Sequence, residues 1–219
     1  MLQLSDMTNS TSRTIIPFLL IALLSIPNLS RADEPSNLRT ILVLGDSISA
    51  GYGIQQEQGW VALFRQQLKT LETDWTAVNA SVSGETTGGG LARLPKLLEI
   101  HNPEIVLIEL GGNDGLRGYP TAKLRKNLEA MVKLVKEQGS QPMIMAMRIP
   151  PNYGPRYTKN FDQVYSEVAA QSMSHYIPFF LNDVALQPGM MQQDGIHPTA
   201  VAQPTMADAV WVSVEPLLE

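Results

Sequence analysis

Short apolar runs that end in glycine, each followed by hydrophobic residues recurring every three or four positions, constrain the fold of this chain more than any other feature. Thr40-Ile41-Leu42-Val43-Leu44 runs into Gly45, and Glu104 to Leu110 runs into Gly111-Gly112. A continuous apolar run is how a strand buried on both faces reads, and such strands occur in parallel sheets covered by helices. Further strands are expected near Trp75 to Asn79, at Met143 to Met147 and at Ile177 to Leu181. Between them lie helical patterns: Trp60, Phe64, Leu68 and Leu71 within 58–72, then Leu91, Leu94, Leu97 and Leu98 up to His101-Asn102-Pro103. Leu124, Leu128, Met131, Val132 and Val135 mark a third helix ended at Gly139, and Phe161, Val164, Tyr165 and Val168 a fourth. A last helix is expected to start near Pro198, since proline suits the first helical turn. Five strands alternating with helices predict an α/β fold, a three-layer αβα sandwich about a five-stranded parallel sheet.

The chain has 219 residues, 44% of them hydrophobic, with 16 basic against 21 acidic groups for a net charge of −5 and no cysteine. Disorder, collagen and coiled-coil classes are excluded by this balance. Disulfides and thiolate metal sites are impossible. A mildly acidic chain with scattered Lys and Arg has no general attraction for nucleic acid or anionic lipid, so neither is an expected partner.

Residues 1–32 read differently from the rest. After Arg13, an apolar run from Ile15 to Ile26 is broken by Pro17 and followed by Pro27, and Ser30-Arg31-Ala32 offers a small-x-small cleavage site. The run is short for a bilayer span, which needs about 20 residues. A secretory signal peptide over 1–32, cut after Ala32, is therefore expected, with an uncleaved membrane anchor as its alternative. Export without disulfides suits a Gram-negative periplasm, and residues 33–219 suffice for one well-buried domain.

In a doubly wound sheet the ligand site lies beyond the carboxyl ends of the strands. The turn after the first strand is Gly45-Asp46-Ser47-Ile48-Ser49, where Ser47 is either a helix N-cap or a nucleophile beside unpaired backbone amides. The GxSxG elbow is absent, because Ser49 stands at the second glycine position. After the second strand comes Asn79-Ala80-Ser81-Val82-Ser83-Gly84-Glu85-Thr86, and after the third Gly111-Gly112-Asn113-Asp114-Gly115. Gly84 allows backbone to approach a substrate, and the Asn113 amide is a hydrogen-bond donor, so with the Ser47 amide they can stabilise an oxyanion. Each turn alone is also ordinary loop chemistry. Asp194-Gly195-Ile196-His197-Pro198 supplies a base: across three residues the carboxylate can reach the imidazole and fix its tautomer. His101 and His175 lack such a partner and read as capping or packing residues. Asp46 and Asp114 read as turn-orienting.

The four blocks together resemble the SGNH (GDSL) hydrolase superfamily, in order and spacing. The resemblance implies a flavodoxin-like SGNH hydrolase fold with Ser47, Asp194 and His197 as catalytic triad and Ser47, Gly84 and Asn113 as oxyanion hole. Within that superfamily NASVSGETT, GLARLP, LGGNDGLRG and DGIHP resemble the multifunctional periplasmic acyl-CoA thioesterases, which also act as lysophospholipases and on some peptide-like esters. It implies fatty acyl thioesters and carboxylic esters as substrates, no metal and no organic cofactor. It also implies that the loop after the Asn113 block moves on substrate binding, with Gly111, Gly112, Gly115 and Gly118 giving hinge freedom. Gly112, Leu116, Pro150 and Tyr153, in loops flanking the site, are candidate substrate contacts, while Arg117 and the Lys-rich start of the third helix read first as a solvated helix face, with contact to a phosphate as the alternative. The expected partner is a small acyl ester or thioester met by a monomer, with no stable membrane insertion once the signal is removed. Two rivals stand beside this reading: a short-chain arylesterase or carbohydrate deacetylase of the same superfamily, and a non-catalytic flavodoxin-like nucleotide-binding module. The second lacks its motifs, since neither a P-loop nor GxGxxG is present and Gln56 follows Gly51-Tyr52-Gly53 where another glycine is needed.

Overall fold

The computed structural model describes residues 38–71 and 74–218; the signal segment expected over 1–32 lies outside them. Five parallel strands form one sheet: β1 (Arg39–Gly45), β2 (Trp75–Asn79), β3 (Ile105–Glu109), β4 (Gln141–Met145) and β5 (His175–Ile177). Their spatial order is β2-β1-β3-β4-β5. The register pairs Val43 with Asn79 on one side of β1 and Gly45 with Glu109 on the other. The central strands are the apolar runs of the sequence: Ile41 to Leu44 and Val106 to Ile108 are wholly inaccessible to solvent.

Seven α-helices connect and cover the strands among the described residues: α1 (Ser47–Ala50), α2 (Trp60–Thr70), α3 (Thr87–His101), α4 (Gly112–Leu116), α5 (Thr121–Glu137), α6 (Pro155–Ser172) and α7 (Gln203–Val214). Helices α3, α5 and α6 pack in a row over one face, while α2 and α7 pack together over the other. This is the three-layer αβα arrangement. Each long helix buries its apolar stripe: Phe64 and Leu68 from α2, Leu128 and Met131 from α5, Val164 and Val168 from α6. The sheet order reverses direction between β1 and β3, because α2 and β2 go one way from β1 and everything after β3 goes the other. Ligand crevices open at such a switch point.

The structure differs from the sequence expectation in four places. Strand β5 is His175–Ile177 rather than Ile177 to Leu181, because Pro178 has no N–H to continue the ladder. Phe180 and Leu181 are apolar for another reason: both are buried, and the Phe180 ring meets Trp60 edge-on at 5.7 Å. Strand β4 begins at Gln141, two residues early, and carries Pro142 at its second position. Pro198 starts no helix. It forms an antiparallel bridge with Met191, and α7 begins only at Gln203 after a 3₁₀ turn at Ala200–Ala202. The glycine-rich loop after β3 is the short helix α4, closed by a Gly115 N–H bond to the Gly111 carbonyl at 2.9 Å.

Candidate active site

The β1–α1 turn is shaped by Asp46, whose Oδ1 accepts the Ile48 N–H at 3.0 Å and so caps α1. This leaves Ser47 as the first residue of the helix, half-buried, at the carboxyl end of the central strand. Its Oγ lies 2.8 Å from His197 Nε2. The histidine comes from the loop ahead of α7, where the Met191–Pro198 bridge and a Gln192 N–H bond to the His197 carbonyl, 2.8 Å, tie the loop to itself. His197 Nδ1 lies 2.7 Å from Asp194 Oδ2, and Asp194 Oδ1 accepts the backbone N–H groups of Ile196 at 2.9 Å and His197 at 3.0 Å. Those bonds, the His197 backbone N–H first and its ring next, hold the Asp194 carboxyl down at about 2. An anionic Asp194 requires the Nδ1–H tautomer of the imidazole, which leaves Nε2 as acceptor for the Ser47 hydroxyl proton. The arrangement can therefore abstract a proton from Ser47.

Gly84 and Asn113 line the same cavity as Ser47 and His197. Gly84 is held at φ 79°, and its carbonyl accepts from Arg117 Nη2 at 3.1 Å. Asn113 Nδ2 donates to Asp46 Oδ2 at 3.1 Å. That bond fixes which end of the amide is the nitrogen and leaves its second N–H available to the cavity. Asp46 is 2% exposed, and burial above all pushes its carboxyl up from 3.8 to about 6 against the lowering effect of the Ile48 N–H, His197 and Asn113.

The cavity measures about 580 Å³, of the size that holds a small organic ligand. Met147, Ile149, Phe179, Leu181, Ala185 and Leu186 give it an apolar wall. Of the substrate contacts expected from sequence, Gly112, Leu116 and Pro150 line it. Tyr153 does not. Its hydroxyl donates to the Leu116 carbonyl at 2.7 Å, so it braces the end of α4 from outside. Gly111 and Gly115 serve close packing: a Cβ on Gly111 would stand 2.1 Å from the Tyr165 hydroxyl, and one on Gly115 2.5 Å from Ile149 Cγ2. Arg117 reaches back to Gly84, clipping α4 to the turn after β2.

Sequence reasoning missed Tyr52, whose ring lies 4.5 Å from that of His197 and shields one face of the imidazole. No local pattern signals it, because the contact joins distant parts of the chain. It also missed Glu109, although a carboxylate inside an apolar run is a visible anomaly. No group of three or more His, Cys, Asp or Glu side chains is arranged to hold a metal ion among the described residues.

The chain matches the family of GDSL-like lipases and acylhydrolases over residues 43–203, from within β1 to the start of α7. It belongs to this family. It is 50% identical over 180 residues to the esterase TesA of Pseudomonas aeruginosa, covering 82% of this chain and 90% of that one. It is 41% identical over 210 residues to thioesterase 1/protease 1/lysophospholipase L1 of Escherichia coli K12, covering 96% of both chains. The crystal structure of the psychrotrophic esterase EstA from a Pseudoalteromonas species, inhibited by monoethylphosphonate, superposes with a TM-score of 0.80 at 45% identity, covering 82% of this chain and 98% of that one. The protein is thus an SGNH-type ester hydrolase with the α/β fold of that family.

Proposed function

We propose that this hydrolase cleaves fatty acyl thioesters, acyl-CoA among them, and carboxylic esters including lysophospholipids, through an acyl-enzyme on Ser47. The observation that carries the reading is the unbroken chain from Asp194 Oδ2 through His197 to Ser47 Oγ, with links of 2.7 and 2.8 Å. In the first step Ser47 Oγ attacks the carbonyl carbon while His197 Nε2 takes its proton. The tetrahedral oxyanion is received by the Ser47 and Gly84 backbone N–H groups and by the free N–H of Asn113. Collapse expels the thiolate or alkoxide, which takes the proton from His197. Water then attacks the acyl-enzyme by the same route and restores the Ser47 hydroxyl. Asp194 remains ionised throughout and stabilises the imidazolium.

The apolar wall of the cavity supports an acyl chain as the group bound there. The name of the Escherichia coli relative supports thioester and lysophospholipid cleavage. The N-terminal apolar run and its small-x-small site support a signal peptide over 1–32, cleavage after Ala32 and a periplasmic location for the domain spanning 33–219; we take that domain to act as a monomer. Among the described residues no helix is long and apolar enough to cross a membrane.

The test is hydrolysis of acyl-CoA and p-nitrophenyl esters against chain length, using the full chain produced in a Gram-negative host and recovered from its periplasm. Serine-dependent activity reaching long acyl chains, with Ser47→Ala as blank, supports the reading. Serine-dependent activity confined to acetyl or aryl esters replaces the substrate class by that of a short-chain arylesterase or deacetylase. Turnover unchanged in Ser47→Ala refutes the mechanism. A recovered chain beginning at Asp33 supports the signal assignment, and one retaining Met1 refutes it.

A further inference from the structure

Directly behind the Ser47 turn lies a carboxyl group that the triad and oxyanion hole do not use. Glu109 ends β3 and is fully inaccessible to solvent. Its Oε2 accepts the Asp46 backbone N–H at 3.1 Å and the Ser49 hydroxyl at 2.6 Å. Ser49 Oγ in turn accepts the Trp60 indole N–H at 3.2 Å, and its carbonyl accepts Asn79 Nδ2 at 2.7 Å. One oxygen thus anchors the turn on both sides of Ser47, at Asp46 before it and at Ser49 two residues after it, and through Ser49 reaches α2. Gly45 permits this, since a Cβ there would stand 2.5 Å from Glu109 Oε2. The other oxygen, Oε1, has no hydrogen-bond partner among the described residues.

The charged surroundings decide the state of this carboxyl. The titratable groups that face it are Asp46 from the β1–α1 turn and the Tyr165 hydroxyl from α6, while α1 and α2 present only Ser49 and Trp60. Asp114 of α4 adds a further acid next to Asp46. No ion pair to Glu109 or Asp46 is formed among the described residues. Two buried carboxyls that act on each other's charge, with no cation paired to either, cannot both ionise at moderate cost. Asp46 faces the cavity, accepts two N–H groups and feels His197, so it takes the charge. Glu109 faces no solvent and leaves an oxygen bare, so it keeps the proton. Burial first and the Asp46 charge second push it well above the usual carboxylate range.

We infer that Glu109 is a positioning residue that works as an uncharged carboxylic acid, holding the Ser47 turn in place only while it is protonated. Ionisation at alkaline pH adds a second anion behind the turn that already carries the Asp46 charge, and the turn relieves the repulsion by shifting, which draws Ser47 out of line with His197. The inference rests on Ser47 as nucleophile, a reading that Ser47→Ala tests separately. The first experiment is an infrared pH titration of the wild-type enzyme, which needs no variant to fold. At pH 8 a protonated carboxylic acid band is expected, while every ordinary side-chain carboxyl is ionised. Absence of that band overturns the inference. The second is a comparison of Glu109→Gln with Glu109→Asp. The neutral isostere is expected to lack the band and keep kcat within about threefold at pH 8 with KM unchanged, and any alkaline fall of wild-type kcat moves to higher pH. The shorter, ionisable Asp is expected to lose tenfold or more. A Gln variant that loses as much as Asp, or a wild-type band that disappears with kcat unchanged, refutes the positioning role.

Discussion

Replacing Asp46 by asparagine should make the protein more stable and less active at once. In the folded chain the Asp46 carboxyl titrates at about 6, against 3.8 when unperturbed, with burial as the main cause. At about 1.4 kcal/mol per pH unit the difference is about 3 kcal/mol. Because the folded state holds this proton more tightly than the unfolded chain does, its ionisation costs stability progressively from about pH 4 to pH 6. Above pH 6 the full cost is present. An amide at this position never ionises and retains the acceptor for the Ile48 N–H, so Asp46→Asn should exceed wild type by up to about 3 kcal/mol at pH 8. For a domain of this size that is a rise of about 6 to 12 °C in Tm. At pH 4 and below the two should converge. Activity moves the other way: the introduced amide nitrogen now faces Asn113 Nδ2, donor against donor, and Asn113 turns its amide to present oxygen. The cavity then loses an N–H, a loss of about 10² to 10³ in kcat, as for one missing oxyanion donor. Thermal unfolding at pH 4, 6 and 8 beside p-nitrophenyl ester kinetics checks both. Equal stability at pH 8, or a stabilised variant with full activity, would refute the reasoning.

Asn113→Ala should cost about 10² to 10³ in kcat with the fold intact, measured by kinetics and circular dichroism on the same sample. The acid limb of kcat should contain the protonation of Asp46 near pH 6; Asp194, held at about 2, contributes nothing above about pH 3. A kcat profile of Asp46→Asn that lacks its share of that limb checks the assignment. Gly115→Ala should destabilise by about 1 to 3 kcal/mol, since its methyl would press on Ile149 and on the Phe161 ring at 2.7 Å. Chemical denaturation measures it directly.

Those elements legible in the sequence are the ones whose signal is local. Ile41–Leu44 and Val106–Ile108 read as buried strands because an uninterrupted apolar run has few other uses, and Asp194 and His197 sit three positions apart. The helix α4 is hidden by its composition, since Gly112, Asn113, Asp114 and Gly115 individually favour turns. It forms because Gly115 lets it pack against Ile149 and Phe161. Tyr52 and Tyr153 escape a reading of the sequence for the complementary reason: each role depends on a contact across the chain, to His197 in one case and to the Leu116 carbonyl in the other. The early end of β5 is legible in Pro178, but the apolar Phe179-Phe180-Leu181 that follows masks it.

Three buried acids join three separate loops, those carrying Ser47, Gly84 and Asn113, into one site. Asp46 ties the Ser47 turn to Asn113, and Glu109 ties the end of β3 to the same turn from behind. Asp114 accepts the Thr87 backbone N–H at 2.8 Å and its hydroxyl at 2.6 Å, joining α4 to the start of α3 just beyond Gly84. Each link runs from one block to another, so together they set the relative positions of Ser47, Gly84 and Asn113. An apolar core of the same volume would be easier to fold, since every one of these carboxyls loses hydration. It would not serve the same end, because dispersion contacts tolerate small slides whereas hydrogen bonds to one oxygen do not. The concentration of desolvated acids around β1 and β3 suits the proposed mechanism, in which an oxyanion is held well only by donors fixed before it forms.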